Sequence, residues 1–364
     1  MFWRVLRLPT TEWIVIMTDP PLLLVLGPLL AWWKGARLVH WAQDLYPELA
    51  EEMRVLRRRG ILARLLQAAS TWALRRCDLV LAVGRCMQNR LMARGLDPAR
   101  IRCMTNWAPQ PVSWPSPSER EAFREANALQ DRFVVMYSGN FGLAHAFEEI
   151  LDAAEVLNRS EPRILFALAG QGPRREWVEQ ETRRRGLTNI QFLPFQAKEK
   201  LYDSLSAADL QLASMRAELC GLVVPSKIYG IVAAGCPCVF LGPGASEAAQ
   251  LIEANQCGTV LESPSGVELA RALTEWAHDA PRRSAAAQRC RALRDGLLVG
   301  SVSGEFQRLL TEAIRPTGSD EQPVFTAAEG DEAELGRIRA ATAPAASPAL
   351  SGRSSDGGSP CFRA

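Results

Sequence analysis

Short, predominantly apolar runs alternate with longer helix-patterned stretches, twice over and on either side of a proline cluster, and this leaves the chain few folds. The first series predicts strands at 14–18, 38–42, 79–83 and 100–104, with helices at 22–34, 48–76 and 85–94. Strands without polar alternation are covered on both faces, as in parallel sheets flanked by helices. Pro109, Pro111, Pro115 and Pro117, interleaved with serine, then mark a linker. The rhythm restarts with strands at 133–138, 163–169, 190–193, 209–213, 237–241 and 258–261, and helices at 145–158, 173–185, 197–206, 226–234 and 246–254. Helical pattern continues at 267–278 and 282–314. The expected class is α/β: an N-terminal unit at 1–112, a linker at 113–120, a C-terminal unit at 121–296 and a closing helix at 297–315. From 316 to 364 the chain turns to Gly, Ser, Ala and Pro without apolar periodicity, which predicts a disordered tail.

A chain of 364 residues, 48% of them hydrophobic, can fill two cores. Its net charge of +2 conceals an asymmetry: residues 1–112 carry 16 Lys/Arg against 8 Asp/Glu, and the remainder 26 against 32. A basic front half suits an anionic acceptor or an anionic membrane surface; the plain alternative is solvated arginines on amphipathic helices. Those basic residues lack an interleaved aromatic platform, which argues against nucleic acid as a partner. Nine scattered cysteines, none in a Cys-x-x-Cys pair, and three histidines offer no familiar zinc spacing. The thiols read as reduced and the compartment as cytoplasmic. Residues 14–33 are long enough to span a bilayer, but Asp19-Pro20-Pro21 divides them into a strand and a helix, and no clean apolar core or cleavage site follows Arg4 and Arg7.

Chemistry is concentrated in two segments. Tyr137-Ser138-Gly139-Asn140-Phe141-Gly142 leaves a strand and opens into helical pattern, so its amides are expected to face a ligand above the sheet. Val224-Pro225-Ser226-Lys227-Ile228-Tyr229-Gly230 places Ser226 and Lys227 at the positive end of a helix. Together they read as a pocket for a diphosphate.

The order of Asp19-Pro20-Pro21, Gln43-Asp44-Leu45-Tyr46-Pro47-Glu48, Asn106-Trp107, Ser138-Gly139-Asn140-Phe141-Gly142, Ala169-Gly170-Gln171-Gly172, Phe192-Leu193-Pro194, Ala208-Asp209, Pro225-Ser226-Lys227 and Ala234-Gly235-x-Pro237 resembles family 4 retaining glycosyltransferases. It is most similar to the branch that builds bacterial surface polysaccharides, the colanic-acid and fucosamine transferases. The resemblance covers roughly residues 14 to 312. It implies GT-B architecture, two Rossmann-like domains with an active site in the cleft between them, and no metal or other cofactor. It also implies a nucleotide-sugar donor, favouring UDP, held by the C-terminal domain, and a glycan or polyprenyl-linked acceptor held by the N-terminal one.

Carried over residue by residue, Gly139 and Asn140 would lie against the diphosphate, and Lys227 with the Ser226 amide would neutralise its departing charge. Gly170 and Gly172 would shape the nucleotide loop, unless they merely end a strand and begin a helix. Phe192 to Phe195 would run beside the base. Asp44 would orient an acceptor hydroxyl or the sugar, unless it caps the helix near Pro47. His145 would reach the donor sugar, unless it is a satisfied core histidine. Arg54, Arg57, Arg58, Arg59 and Arg64, near Trp32 and Trp33, would rest on anionic lipid beside the acceptor, giving peripheral contact with the inner face of the plasma membrane.

The sequence departs from the family in two places. Many members carry two glutamates, eight positions apart, ahead of the Ala-x-Gly-x-Pro segment; Leu222 and Gly230 stand there, and Glu218 is the nearest carboxylate able to hold a donor hydroxyl. The N-terminal domain also starts almost at its Asp-Pro-Pro strand, so it is expected to be incomplete. Two other functions fit the same fold: a truncated, inactive nucleotide-sugar-binding protein, and a nucleotide-sugar epimerase, which needs more acid/base groups than these positions supply.

Overall fold

A computed structural model describes residues 9–111 and 113–314. The tail expected at 316–364 lies outside the described residues. The first lobe is a four-stranded parallel sheet, β1 (Trp13–Met17), β2 (Arg37–Ala42), β3 (Leu79–Ala82) and β4 (Ile101–Cys103), in sequential order. Around it lie α1 (Gly27–Lys34), α2 (Glu48–Glu52), α3 (Ile61–Leu74) and α4 (Arg85–Ala93). β1 is an edge strand, and its Val15 and Met17 are exposed.

The second lobe begins with α5 (Pro117–Ala126) and holds a six-stranded parallel sheet. Its strands are β5 (Phe133–Ser138), β6 (Ile164–Ala169), β7 (Ile190–Leu193), β8 (Leu210–Ser214), β9 (Cys238–Leu241) and β10 (Gly258–Leu261). Their spatial order is β10-β9-β8-β5-β6-β7, so the winding reverses between β5 and β8. Ligands of open α/β sheets sit at such a reversal, beyond the carboxyl ends of the strands. The helices are α6 (Phe147–Ser160), α7 (Arg175–Arg184), α8 (Leu201–Ala207), α9 (Lys227–Ala233), α10 (Glu247–Ala254), α11 (Gly266–His278) and α12 (Ala280–Ala292). Val134, Val135, Met136 and Tyr137 are fully buried, as expected of a central strand covered on both faces.

The Ala208-Asp209 pair serves the fold. Asp209 accepts from the Val134 amide and from Arg120 and Arg124, and Arg124 also donates to the Ala207, Leu129 and Arg132 carbonyls, which fastens α5 to the N-terminal ends of the central strands β5 and β8.

Three long helices expected from periodicity are broken. The helix expected at 22–34 is a 3-10 turn, Leu23–Leu26, followed by α1, because Pro28 lacks the amide that would continue the ladder and instead starts a new helix. The 48–76 stretch divides into α2 and α3. Arg54 and Arg59 take positive φ, Gly60 occupies the N-cap of α3, and Glu51 captures the Arg59 amide at 2.7 Å. The 282–314 stretch ends at Ala292, turns through Asp295–Leu297, and resumes as α13 (Val299–Ile314).

α13 crosses back onto the first lobe. Val302 and Leu309 pack with Val39, Leu79, Leu81 and Met104, and Phe306 stacks on Trp41 with ring centroids 5.2 Å apart. The lobes share one continuous hydrophobic cluster and are further tied by Leu45 N to Leu222 O at 2.8 Å and Ala108 N to Leu297 O at 2.7 Å.

Candidate active site

A cavity of about 790 Å³ opens at the β5/β8 reversal. Its floor is the turn after β5, its back wall the start of α9, and one side the segment after β7; Trp107 and Pro109 close it from the hinge. Of the expected site residues, it is lined by Gly139, Asn140, His145, Gly170, Ser226 and Lys227.

The glycine loop and the lysine meet directly. A Cβ placed on Gly139 would stand 2.9 Å from Lys227 Nζ, and Gly139 adopts φ +148, so its backbone both turns and leaves room for the ammonium. Lys227 Nζ donates to Tyr137 Oη at 2.8 Å and lies 4.0 Å from the Tyr137 ring centroid. The Tyr137 hydroxyl proton is itself spent on the Asn140 carbonyl, at 2.6 Å, so its lone pairs face the lysine. Burial lowers the Lys227 pKa from 10.5 to about 7, against a small opposing pull from Cys238. A dianion in the cavity would return that charge.

The amides of the glycine loop are already engaged. Gly139 N donates to Ala169 O at 3.0 Å and Phe141 N to Gln171 O at 2.8 Å, which corrects the expectation that this loop presents a row of free donors. The cause is close packing: a Cβ on Gly170 would overlap the Gly139 carbonyl, and one on Gly172 would overlap Asn140 and Phe141. Gly172 therefore shapes the loop from behind and does not line the cavity. The helix after this loop also starts later than expected and opens on acidic residues. It begins at Phe147, not at residue 145, and Glu148 and Glu149 occupy its first turn, with Glu148 paired to Arg174 through both oxygens. The first turn of α9 does line the cavity, so the positive potential comes from that turn and from Lys227.

His145 Nδ1 donates to the Ser214 carbonyl at 2.8 Å, which leaves Nε2 as an acceptor. Burial, then the Lys227 charge, lowers its pKa to about 4, although the bond to Ser214 acts the other way; at neutral pH the ring is uncharged.

Three expected residues lie elsewhere. Phe192 packs its ring under the Arg175 guanidinium, 5.3 Å from the centroid, and within the 192–195 segment it is Phe195, 70% exposed, that reaches the cavity. Glu218 lines two neighbouring hollows, one with Arg216 and Glu148 and one with the 51–58 segment of the first lobe. Asp44 sits beyond β2; its amide and that of Gln43 donate to Thr18 Oγ1, and the helix after Pro47 receives no side-chain cap, so Asp44 does not cap it. Burial, then the nearby Asp19 charge, raises the Asp44 pKa.

Arg175 escaped sequence reasoning. It donates to the Gly170 and Leu193 carbonyls and pairs with Glu179, clamping two cavity loops together. Tyr137 was likewise missed as a partner of Lys227. Among the described residues, no group of three or more His, Cys, Asp or Glu side chains could hold a metal ion.

The family model described as Glycosyltransferase Family 4 matches residues 14–108, and that described as Glycosyl transferases group 1 matches residues 119–292. This chain thus matches two family models described as glycosyltransferases, one on each lobe. Its fold is GT-B, the arrangement of solved glycosyltransferases such as HepE of Anabaena in complex with UDP-glucose. That likeness has TM-score 0.68 at 18% identity, covering 83% of this chain and 79% of the other. The lipopolysaccharide-biosynthesis glycosyltransferase WaaG aligns with TM-score 0.59 at 20% identity, covering 76% and 78%. The curated glycosyltransferase WcaI of Escherichia coli, a putative colanic acid biosynthesis enzyme, is 30% identical over 66% of this chain and 60% of its own length. WbjE of Pseudomonas aeruginosa, a probable glycosyltransferase, is 27% identical over 71% and 64%. The chain thus spans less than two thirds of either curated relative.

Proposed function

We propose that this chain transfers a glycosyl group from a UDP-sugar to a glycan or polyprenyl-linked acceptor, with retention at the anomeric carbon, in the assembly of a bacterial surface polysaccharide. The observation that carries the proposal is the meeting of Lys227 Nζ with the Gly139 turn inside one cavity at the winding reversal of the second sheet. The names of WcaI and WbjE, and the UDP and UDP-glucose complexes of HepE, support the donor class and the setting.

As the bond from the anomeric carbon to phosphate lengthens, negative charge gathers on the leaving diphosphate. Lys227 and the first turn of α9 are fixed in advance where that charge grows, and preorganised stabilisation of this kind is usually the largest catalytic contribution. Neutral His145 offers Nε2 to a sugar hydroxyl, and exposed Phe195 offers a ring face to the base. Asp44 and the first lobe are assigned to the acceptor side, Glu218 remains the carboxylate nearest the donor, and the reaction needs no metal.

Radiolabelled UDP-sugars incubated with the chain and a polyprenyl-linked acceptor test this. Transfer should require the acceptor, and Lys227→Ala should lower its rate at least about a hundredfold, as loss of one such charge stabiliser typically does. An almost unchanged rate in a folded variant removes Lys227 from the mechanism. Acceptor-independent change of the sugar would indicate an epimerase, and retention of UDP-sugar without turnover a binding protein.

A further inference from the structure

Beside the cavity, the start of α4 in the first lobe meets the Ala217–Val223 turn of the second. Cys86, in the first turn of α4, and Cys220 are both free and half-buried, and their thiols hydrogen-bond each other across the lobe boundary. The backbones interlock at the same point. Arg90 Nε donates to the Cys220 carbonyl at 2.6 Å, and a Cβ on Gly221 would stand 2.7 Å from the Cys86 carbonyl oxygen.

We propose that Cys86 and Cys220 form a thiol–disulfide exchange site that joins the two lobes covalently when a low-molecular-weight disulfide is present. In the first step the Cys86 thiolate attacks one sulfur of oxidised glutathione, the glutathione S–S bond breaks, and one glutathione thiolate departs. In the second, Cys220 gives its proton to solvent and attacks the Cys86 sulfur, expelling the second glutathione. Two protein thiols are oxidised, one glutathione disulfide is reduced to two thiols, and no other oxidant is needed.

The surroundings assign the roles. The hydrogen bond from Cys220 draws the Cys86 pKa down to about 6; burial opposes this, the Glu247 and Met87 amides assist, and the Glu247 carboxylate opposes. The same bond, together with burial, pushes Cys220 up, so Cys86 is the nucleophile and Cys220 the resolving thiol. Arg90 favours charge at Cys220, while Arg85 and Glu247 act on the neighbouring Cys103, whose thiol burial pushes up to about 12. Cys257 and Cys290 also hydrogen-bond each other, but both are buried and both belong to the second lobe. A bridge there would tie nothing together.

The test is a disulfide map of the full chain. Reduced protein, freed of reductant, is incubated with oxidised glutathione, alkylated, digested without reduction and examined by mass spectrometry. A Cys86–Cys220 peptide should accumulate first, and Cys220→Ser should instead hold glutathione on Cys86. Alkylation of Cys86 should also be nearly constant between pH 7 and 8, where an ordinary thiol accelerates severalfold. The proposal is overturned if wild-type Cys86 stays alkylatable, if it rests as the glutathione adduct, or if it pairs with Cys103 or Cys361. Prior bridging of Cys257 to Cys290 overturns it as well.

Discussion

The proposed reaction needs Lys227 as a cation, in a place that makes a cation costly. With its pKa near 7, it is largely charged below that pH and progressively neutral above it. A bound diphosphate restores the proton, so UDP binding should take up protons. Its affinity should fall as pH rises above 7, by up to about tenfold per unit. Calorimetry in buffers of different ionisation enthalpy measures both effects, and Lys227→Met should abolish them. Affinity independent of pH between 7 and 9 in the wild type would separate Lys227 from the anion. The sign for the ligand-free chain is the reverse of a salt-bridged lysine. The unfolded chain binds this proton more tightly, so the penalty on stability is full below pH 7 and is relieved as pH rises from 7 towards 10.5. Lys227 was legible in the sequence because it follows Pro225-Ser226 before an apolar helix. Tyr137 was not, because an aromatic residue within an apolar run has the pattern of core, and nothing local tells that its hydroxyl reaches a lysine ninety positions later.

Among the elements, the two loops after β5 and β6 are the least tolerant of change. Gly170 takes φ +134, and any Cβ there would run into the Gly139 carbonyl. Gly170→Ala should therefore cost about 3 kcal/mol or more, as backbone strain and overpacking combine. Urea denaturation measures it, and a loss below about 1 kcal/mol would show that the loops are not packed this closely. The strands were readable because most are short and predominantly apolar, and their positions follow expectation within a residue or two. The long helices were not, since Leu23 to Leu26 and Ile61 to Leu74 continue an apolar periodicity across interruptions made by Pro28 and Gly60. The commitment of the Gly139 and Phe141 amides was also illegible, because their acceptors lie on the loop after β6, some thirty residues later.

At the scale of the molecule, the two-lobed plan was visible from the repeated rhythm and the prolines between. What periodicity could not convey is how the lobes hold each other. One face of the first lobe remains apolar at its surface: Leu29, Trp32 and Trp33 on α1, and Ile61, Leu62 and Leu65 on α3, are all exposed. Arg57, Arg58, Arg59 and Arg64 lie at the start of α3 beside them. No described helix is long and apolar enough to cross a membrane; the lipid contact expected from the sequence is one with the bilayer surface. Flotation with phosphatidylglycerol vesicles should recover at least about ten times more protein than with phosphatidylcholine alone, given about 1 kcal/mol for each basic side chain near an anionic surface. Equal recovery would remove the arginines from any such role.

The return of α13 onto the first sheet sets an order of assembly. Val302 and Leu309 complete a core whose other members, Val39, Leu79, Leu81 and Met104, leave the ribosome about two hundred residues earlier or more. Domains tend to mature in the order they are synthesised. Here the half made first must wait, one flank uncovered, until α13 has been made, so a nascent chain stalled within the second half carries a first half still open to chaperones.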